Sequence, residues 1–432
     1  MAAEHKGVLL RAAVFHTPRD PFLFEDALEI HADGGLLIVD GRVAACGDYA
    51  GVQAKYPESR TRDLRPALLL PGFIDTHVHY PQIRILGGLG YSLLDWLQEN
   101  TLPEEAKFAD LHYARAVAAE FIDALAAHGT TTAAVYAAHF APATAALFEA
   151  AARKGVRIAS GLVLSDRLLR PELHLKPQEA YDQSKHLIAQ FHGKQRLLYS
   201  VTPRFAISAS EAILEVCQTL LREHPDLRVQ THLNENVHEV IETSRLFPWA
   251  GDYLAVYERF GLVGPLSILG HNVHSTDLEL QRVAQHKASI AHCPCSNAAL
   301  GSGIFPLRRH LAAGVRFALG TDVGGGIGFG MLKEALQAYL VQRLAPEPFL
   351  LHPEHLLYLA TRAGAEALGL KDEIGDFTVG KAADFVVLRP REGTPLAVIR
   401  ERSESPERLL SAVFTLAAAE DIAEVYVAGT LL

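Results

Sequence analysis

The chain has 432 residues, 49% of them hydrophobic and 21% charged, with no low-complexity tract, so it carries enough apolar surface for a sizeable core and falls outside the disordered class. Its 40 Lys and Arg against 50 Asp and Glu leave a net charge of −10, which argues against non-specific attraction to phosphate backbones or anionic lipid and points to a small partner. No run of about 18 apolar residues appears, and the opening MAAEHKGVLLRAAVF lacks a signal peptide's apolar stretch, so a cytoplasmic setting is expected.

Residues 1–67, with LLIVDGRVAACG, read as short strands joined by Gly and Asp turns. From 68 onward, apolar runs rich in β-branched residues alternate with stretches of helical period. Candidate strands lie at 68–77, 130–137, 156–164, 197–202, 227–232, 266–271, 288–292 and 315–321. Helical candidates between them include 106–128, 142–154, 179–192, 210–223, 277–286 and 306–313. Eight strands alternating with helices predict an α/β fold, a (β/α)8 TIM barrel over 68–373, and runs such as ALLLPGFIDTHVH suit strands buried on both faces. The last segment, 374–432, with GKAADFVVL and AEVYVAGTLL, again reads as strands. The economical arrangement joins it to 1–67 in one small β-sandwich domain.

Chemistry in such a barrel collects at the C-terminal ends of its strands. Strand one ends in His77-Val78-His79, strand five in His232, strand six in His271, strand seven in His292 and strand eight in Asp322. His77 and His79, two apart, share a face and can grip one ion, and imidazoles with a carboxylate are donors that zinc accepts. A lone histidine among 21 is more often a surface or satisfied core residue, and His139, His274 and His292 read that way, the last as a rim residue. Convergence from four strands is what lifts the others above that reading. Cys46, Cys217, Cys293 and Cys295 read as free thiols, because C-x-C is not the spacing of a structural zinc site and no second pair follows.

The segments PGFIDTHVHYPQ, LLDWLQENTLPEE, VTPRFAIS, THLNEN, ASIAHCPCSN, GTDVGGG and ALGLKDEIGDFTVGKAADFVVL resemble the amidohydrolase superfamily, in its ATZ/TRZ-like branch, and within it the enzymes that deaminate guanine. The likeness runs from about residue 7 to 388 and departs from many relatives at Cys295, at Asn234 and in 272–274. It implies a metal held by His77, His79, His232 and Asp322, with His271 beside them or as a long fifth contact. It implies Glu235, three residues past His232, as the proton shuttle, with Asp322 taking a proton from water and His271 steadying the intermediate. Substrate contacts implied are Gln82, Arg204 and Phe205, together with His232 and Glu235. Relatives with two metals use a carboxylated lysine at the end of strand four; LLYSVTPRF has none, so one metal is expected. Zinc is the expectation, with Fe2+ or Mn2+ able to occupy the same donors, and its bound water would reach a pKa of about 7. The implied activity is hydrolysis of guanine to xanthine and ammonia, a step of purine catabolism, by an enzyme expected to be a homodimer. Two other readings stand beside it: a related single-metal hydrolase of a triazine, adenosine-like compound or cytosine, against which Gln82 and Arg204 speak, and a non-catalytic scaffold, which would have no need of the metal residues. For Arg204 the plain alternative is a salt bridge at the rim.

Overall fold

A computed structural model of the chain describes residues 7–403 and 405–432; residues 1–6, part of the stretch read for a targeting signal, and Glu404 lie outside the described residues. The strands β1 (Val8–His16), β2 (Glu29–Val39) and β3 (Arg42–Asp48) follow one another as antiparallel neighbours, and β4 (Arg60–Pro71) returns parallel to β1. The chain then enters the barrel through Gly72, where an added Cβ would stand 2.3 Å from Thr131 Oγ1. Only glycine passes there.

The barrel strands are β5 (Phe73–His79), β6 (Thr130–Tyr136), β7 (Arg157–Gly161), the short β8 (Val163–Leu164), β9 (Leu197–Pro203), β10 (Arg228–Leu233), β11 (Ser267–His271), β12 (Ser289–His292) and β13 (Arg316–Leu319). Eight run parallel in sequence order, with β8 an extra pairing on β9. The ring closes past β13, where the Asp322 N–H donates to the His77 carbonyl at 2.7 Å and the His79 N–H to that of Val323 at 3.0 Å. The expected barrel is therefore present, and β5, β6, β7, β10, β11 and β12 are buried along their whole lengths, as parallel strands between two packed layers must be.

The expected first strand, 68–77, is in fact two. Leu68 and Leu69 belong to β4, paired with β14 (Phe385–Leu388) and β1, and the barrel strand begins only after Gly72. One uninterrupted apolar run serves both sheets, so composition alone could not divide it. With β15 (Ile422–Val427) and β16 (Thr430–Leu431) the terminal segments form a seven-stranded mixed sheet, ordered β16-β15-β14-β4-β1-β2-β3. Leu10, Val14, Leu36, Val43, Leu64, Leu69, Phe385 and Val387 pack as one cluster, so the sheet carries a core of its own.

The closing segment is not all strand, contrary to its sequence reading. Helices Pro395–Arg402 and Pro406–Leu416 stand between β14 and β15, and Leu410, Val413 and Phe414 join the barrel's core. LLSAVFTL suits either period; Pro406 in the first turn and the Ser405 hydroxyl, which accepts from the Arg408 N–H, settle it as helix. Likewise the helix expected from 106 starts at Leu111, because the Asp110 carboxylate caps the His112 and Tyr113 N–H groups. Among the described residues no helix is long and apolar enough to cross a membrane.

Candidate active site

Three strand ends bring four donors together at the barrel mouth. His77 and His79 project from β5, His232 from β10, and Asp322 follows β13; one nitrogen or oxygen from each lies within 4.8 Å of the others, all four residues buried. His77 Nε2 and His79 Nε2 are 3.2 Å apart, and the Asp322 Oδ1 atom stands 3.3 and 3.1 Å from them. Donors held roughly 2.0–2.1 Å from a tetrahedral ion are about 3.3 Å from one another, so the cluster has the spacing of a metal cage. Its protonation fits as well. Burial drives the His77 imidazole down to about 4 and that of His232 well below its ordinary value, keeping both neutral as ligands must be. Burial opposes charge on Asp322, yet the neighbouring imidazoles hold its carboxyl well below the usual range.

The supports of these side chains are local. His232 Nδ1 donates to the Arg204 carbonyl at 2.7 Å, which leaves Nε2 as the ligand atom. Gly270 of β11 has no Cβ because one would stand 2.7 Å from the His77 ring. Asp75, buried on β5, accepts from the Thr321 hydroxyl at 2.6 Å, the Thr321 N–H at 3.0 Å and the His77 N–H at 3.1 Å, so it clamps the two ends of the barrel seam beside both ligands.

His271 stands next to the cage, with Nε2 3.8 Å from Asp322 Oδ2 and 3.5 Å from Glu235 Oε2, while Nδ1 meets Asn297 Oδ1 at 3.0 Å. Glu235 is placed by the helix that follows it. Asn236 and Glu239 form the capping box of helix Val237–Leu246, and Glu239 Oε2 also accepts the Glu235 N–H at 3.0 Å. Burial, reinforced by the Glu239 and Asp322 carboxylates, pushes the Glu235 carboxyl well above its ordinary value. A carboxyl shifted in that direction holds its proton more readily than a free one, which suits a group that hands protons on.

Gln82, Arg204 and Phe205 are buried nearby. Phe205 packs with Leu93, Trp96, Leu97, Ile207 and Leu300 as an apolar wall, its ring 6.1 Å from that of His232. Arg204 Nη1 donates to both oxygens of Glu105, at 2.8 and 3.0 Å, and Gln82 Nε2 donates to the same carboxylate at 3.0 Å. Arg204 is thus ion-paired, but to a fully buried partner inside the mouth rather than at an exposed rim.

Sequence reasoning assigned no role to Glu105, Asp75 or Asn297. The signals were faint: a charge inside an otherwise apolar strand for Asp75, and an acidic pair after a helical turn for Glu105. His139, read as structural, approaches Glu105 at 3.4 Å; His292 stacks on Phe305 with ring centroids 4.3 Å apart. Cys293 reaches the neighbourhood of His77 and His271, but burial raises its thiol well above the ordinary value and keeps it protonated, a poor ligand beside four better ones.

The model of the amidohydrolase family matches residues 68–432. Over 427 residues, covering 98% of this chain and 97% of the relative, the sequence is 55% identical to a probable guanine deaminase of Deinococcus radiodurans. The solved E. coli guanine deaminase superposes with a TM-score of 0.94 at 40% identity, over 98% of this chain and 99% of that one. A guanine deaminase of C. acetobutylicum, solved with guanine bound in its active site, gives 0.91 at 26% identity, over 99% of this chain and 100% of that one.

Proposed function

The chain belongs to the amidohydrolase family, whose members depend on metal, and from that premise we propose that it is a guanine deaminase, converting guanine and water to xanthine and ammonia. The observation that carries this reading is the convergence, in one buried mouth, of a three-histidine, one-aspartate cage and Glu235 with the Gln82–Arg204 pair. Such a juxtaposition brings a hydrolytic centre against hydrogen-bonding groups suited to a flat heterocycle.

In this reading His77, His79, His232 and Asp322 hold one zinc ion, which supplies the Lewis acidity that makes water nucleophilic at neutral pH. Asp322 takes one proton of the water and Glu235 gives its own to the ring nitrogen beside the carbon bearing the amino group. Glu235 then takes the proton that the newly added hydroxyl sheds as it becomes a carbonyl and passes it to the departing amine, so that ammonia leaves, and the proton on Asp322 resets Glu235. His271, 3.5 Å from Glu235, steadies charge developing between them. Arg204 offers its planar fork to the O6 and N7 acceptors of guanine, Gln82 a donor and an acceptor to the ring edge, and Phe205 an aromatic face. A cytoplasmic homodimer is part of the same proposal, checked by sedimentation and cell fractionation.

The test is ammonia release by metal-replete protein from guanine, adenine, isoguanine, cytosine and triazines. Guanine should be the fastest. Adenine, presenting an amino donor where guanine presents O6, should be worse by about 10⁴-fold, because a buried arginine proton is left unpaired. Arg204→Ala should impair guanine turnover strongly and leave the adenine reaction nearly unchanged. A wild-type preference for any other ring, or unchanged guanine kinetics in Arg204→Ala, overturns the substrate assignment.

A further inference from the structure

Glu105 is a buried, heavily engaged side chain of the mouth that stands outside the cage. It lies on the short helix Leu102–Ala106, is 1% exposed, and receives Gln82 Nε2 and Arg204 Nη1. His139, from the loop after β6, is the other titratable group facing it, with Nδ1 at 3.4 Å from Oε2. Two consequences follow from the chemistry of these partners. A carboxylate only accepts, and the Gly324 N–H, 3.3 Å from Gln82 Oε1, only donates. Between them they fix which end of the Gln82 carboxamide is nitrogen and which is oxygen, leaving one N–H and one lone pair with defined places. Arg204, 4% exposed at its side chain, is a cation that burial would penalise heavily if alone. Paired with Glu105 it still presents donors, but the pair as a whole carries no net charge.

We propose that Glu105 is a positioning and specificity-determining residue: it sets the hydrogen-bond polarity of Gln82 and neutralises Arg204, so that the pocket accepts an uncharged purine and disfavours an anionic one. This rests on the reading that Gln82 and Arg204 contact guanine. Its consequence concerns the product. Xanthine is more acidic than guanine and gives up a ring proton at mildly alkaline pH, so a neutral Arg204–Glu105 pair holds the ionised product no more tightly than the uncharged one, whereas an uncompensated Arg204 would retain the anion.

The experiment compares the metal-loaded wild type, Glu105→Gln and Glu105→Asp, measuring guanine KM and kcat together with inhibition by added xanthine at pH 6 and pH 8.5. Glu105→Gln should raise guanine KM by about tenfold or more, with metal content unchanged, through the lost aim of Gln82 and Arg204. It should also tighten xanthine inhibition about tenfold at pH 8.5 but not at pH 6, since a charge-to-charge attraction is gained only with the anion. Glu105→Asp keeps the charge but falls one methylene short: its KM should rise, while xanthine inhibition stays as weak as in the wild type. A merely structural role for Glu105 would not move the two inhibition profiles apart. Unchanged KM and unchanged xanthine inhibition in Glu105→Gln overturn the inference, and so does alkaline xanthine inhibition in Glu105→Asp as tight as in Glu105→Gln. If Glu105→Gln does not fold, a wild-type KM in Glu105→Asp overturns it. Failure of the wild type to deaminate guanine strikes the underlying reading instead, so the two failures are distinct.

Discussion

Two buried aspartates, one where the chain leaves the barrel and one at its mouth, show how differently this protein treats buried charge. Asp376, ahead of β14, receives Lys381 Nζ at 2.6 Å, Arg362 Nη1 at 2.5 Å and the Thr378 N–H at 2.8 Å. Every demand of that carboxylate is met by protein. Asp322 instead faces His77, His79 and His271, the first two of them imidazoles whose protonation burial disfavours, and two nitrogens there, His79 Nδ1 and His271 Nε2, are buried without a hydrogen bond. The first arrangement is complete and stabilises the fold. The second has the donor set and spacing that fit a metal ion. Local satisfaction separates structural from functional burial of charge in this chain, and each prediction below strains that distinction.

The largest effect should come from the mouth. His77→Ala or His232→Ala removes one donor from a four-donor cage whose other members cannot close up, because each is fixed by the barrel strand it sits on or directly follows. Metal content, read by elemental analysis, should fall from about one per chain to near zero, with activity lost alongside it. Two tightly bound metals per wild-type chain, or full activity after chelation, would contradict the assignment. Glu235→Gln should act next most strongly and in a different way. The amide keeps the shape but cannot shuttle a proton, so metal and guanine binding should persist while kcat falls roughly 10²–10⁴-fold. Wild-type kcat in that variant would move the shuttle elsewhere, with His271 the first alternative.

This contrast also explains what the sequence made legible. Period and strand ends were enough to locate the barrel, and the cage residues stand out because H-x-H on one strand and single polar residues at the ends of two others break apolar runs at corresponding places. Glu105 does not break a run: it sits beside another glutamate in LPEE, and only folding brings it to Arg204, 99 positions along the chain. Nor could the division at Gly72 be read, since Leu68–Leu70 and Phe73–Ile74 are equally apolar and only pairing partners distinguish them. The helix Pro406–Leu416 was missed because its buried residues suit either period, and its cap is a single serine.

At the junction the prediction reverses. Asp376→Asn leaves Lys381 and Arg362 buried beside a neutral amide and should destabilise the fold by about 3–5 kcal/mol, with metal content and kcat unchanged in the folded fraction. Burial alone would raise the Asp376 carboxyl, but the Lys381 hydrogen bond and charge outweigh it and hold the group below its usual range. A carboxyl depressed in the folded state contributes fully above its unfolded pKa of about 3.9, and that contribution disappears as pH falls through the lower folded value. The thermal melting points of wild type and Asp376→Asn should therefore differ by a constant amount between pH 7 and 5 and converge in more acidic solution. A gap that opens only on acidification would mean that the aspartate is not held as an anion.

The smallest effect should come from a pair that is neither buried nor needed. Lys154 Nζ reaches Asp123 Oδ1 at 2.8 Å between neighbouring outer helices of the barrel, with side-chain exposures of 34% and 66%. Both groups keep most of their hydration, so the attraction acts through water and the long lysine must give up rotamer freedom to make it. A double-mutant cycle of Lys154→Met and Asp123→Asn should yield a coupling of about 1 kcal/mol or less, shrinking further in 0.5 M salt as screening shortens the reach of each charge. Lys154 also ends helix Ala141–Lys154, where a cation favours the exposed carbonyls, so the single Lys154 variant should lose slightly more than the cycle assigns to the pair. A coupling as large as that expected for Asp376 would show that distance alone predicts the strength of an ion pair, and would remove the grounds for separating these regions by how completely each charge is met.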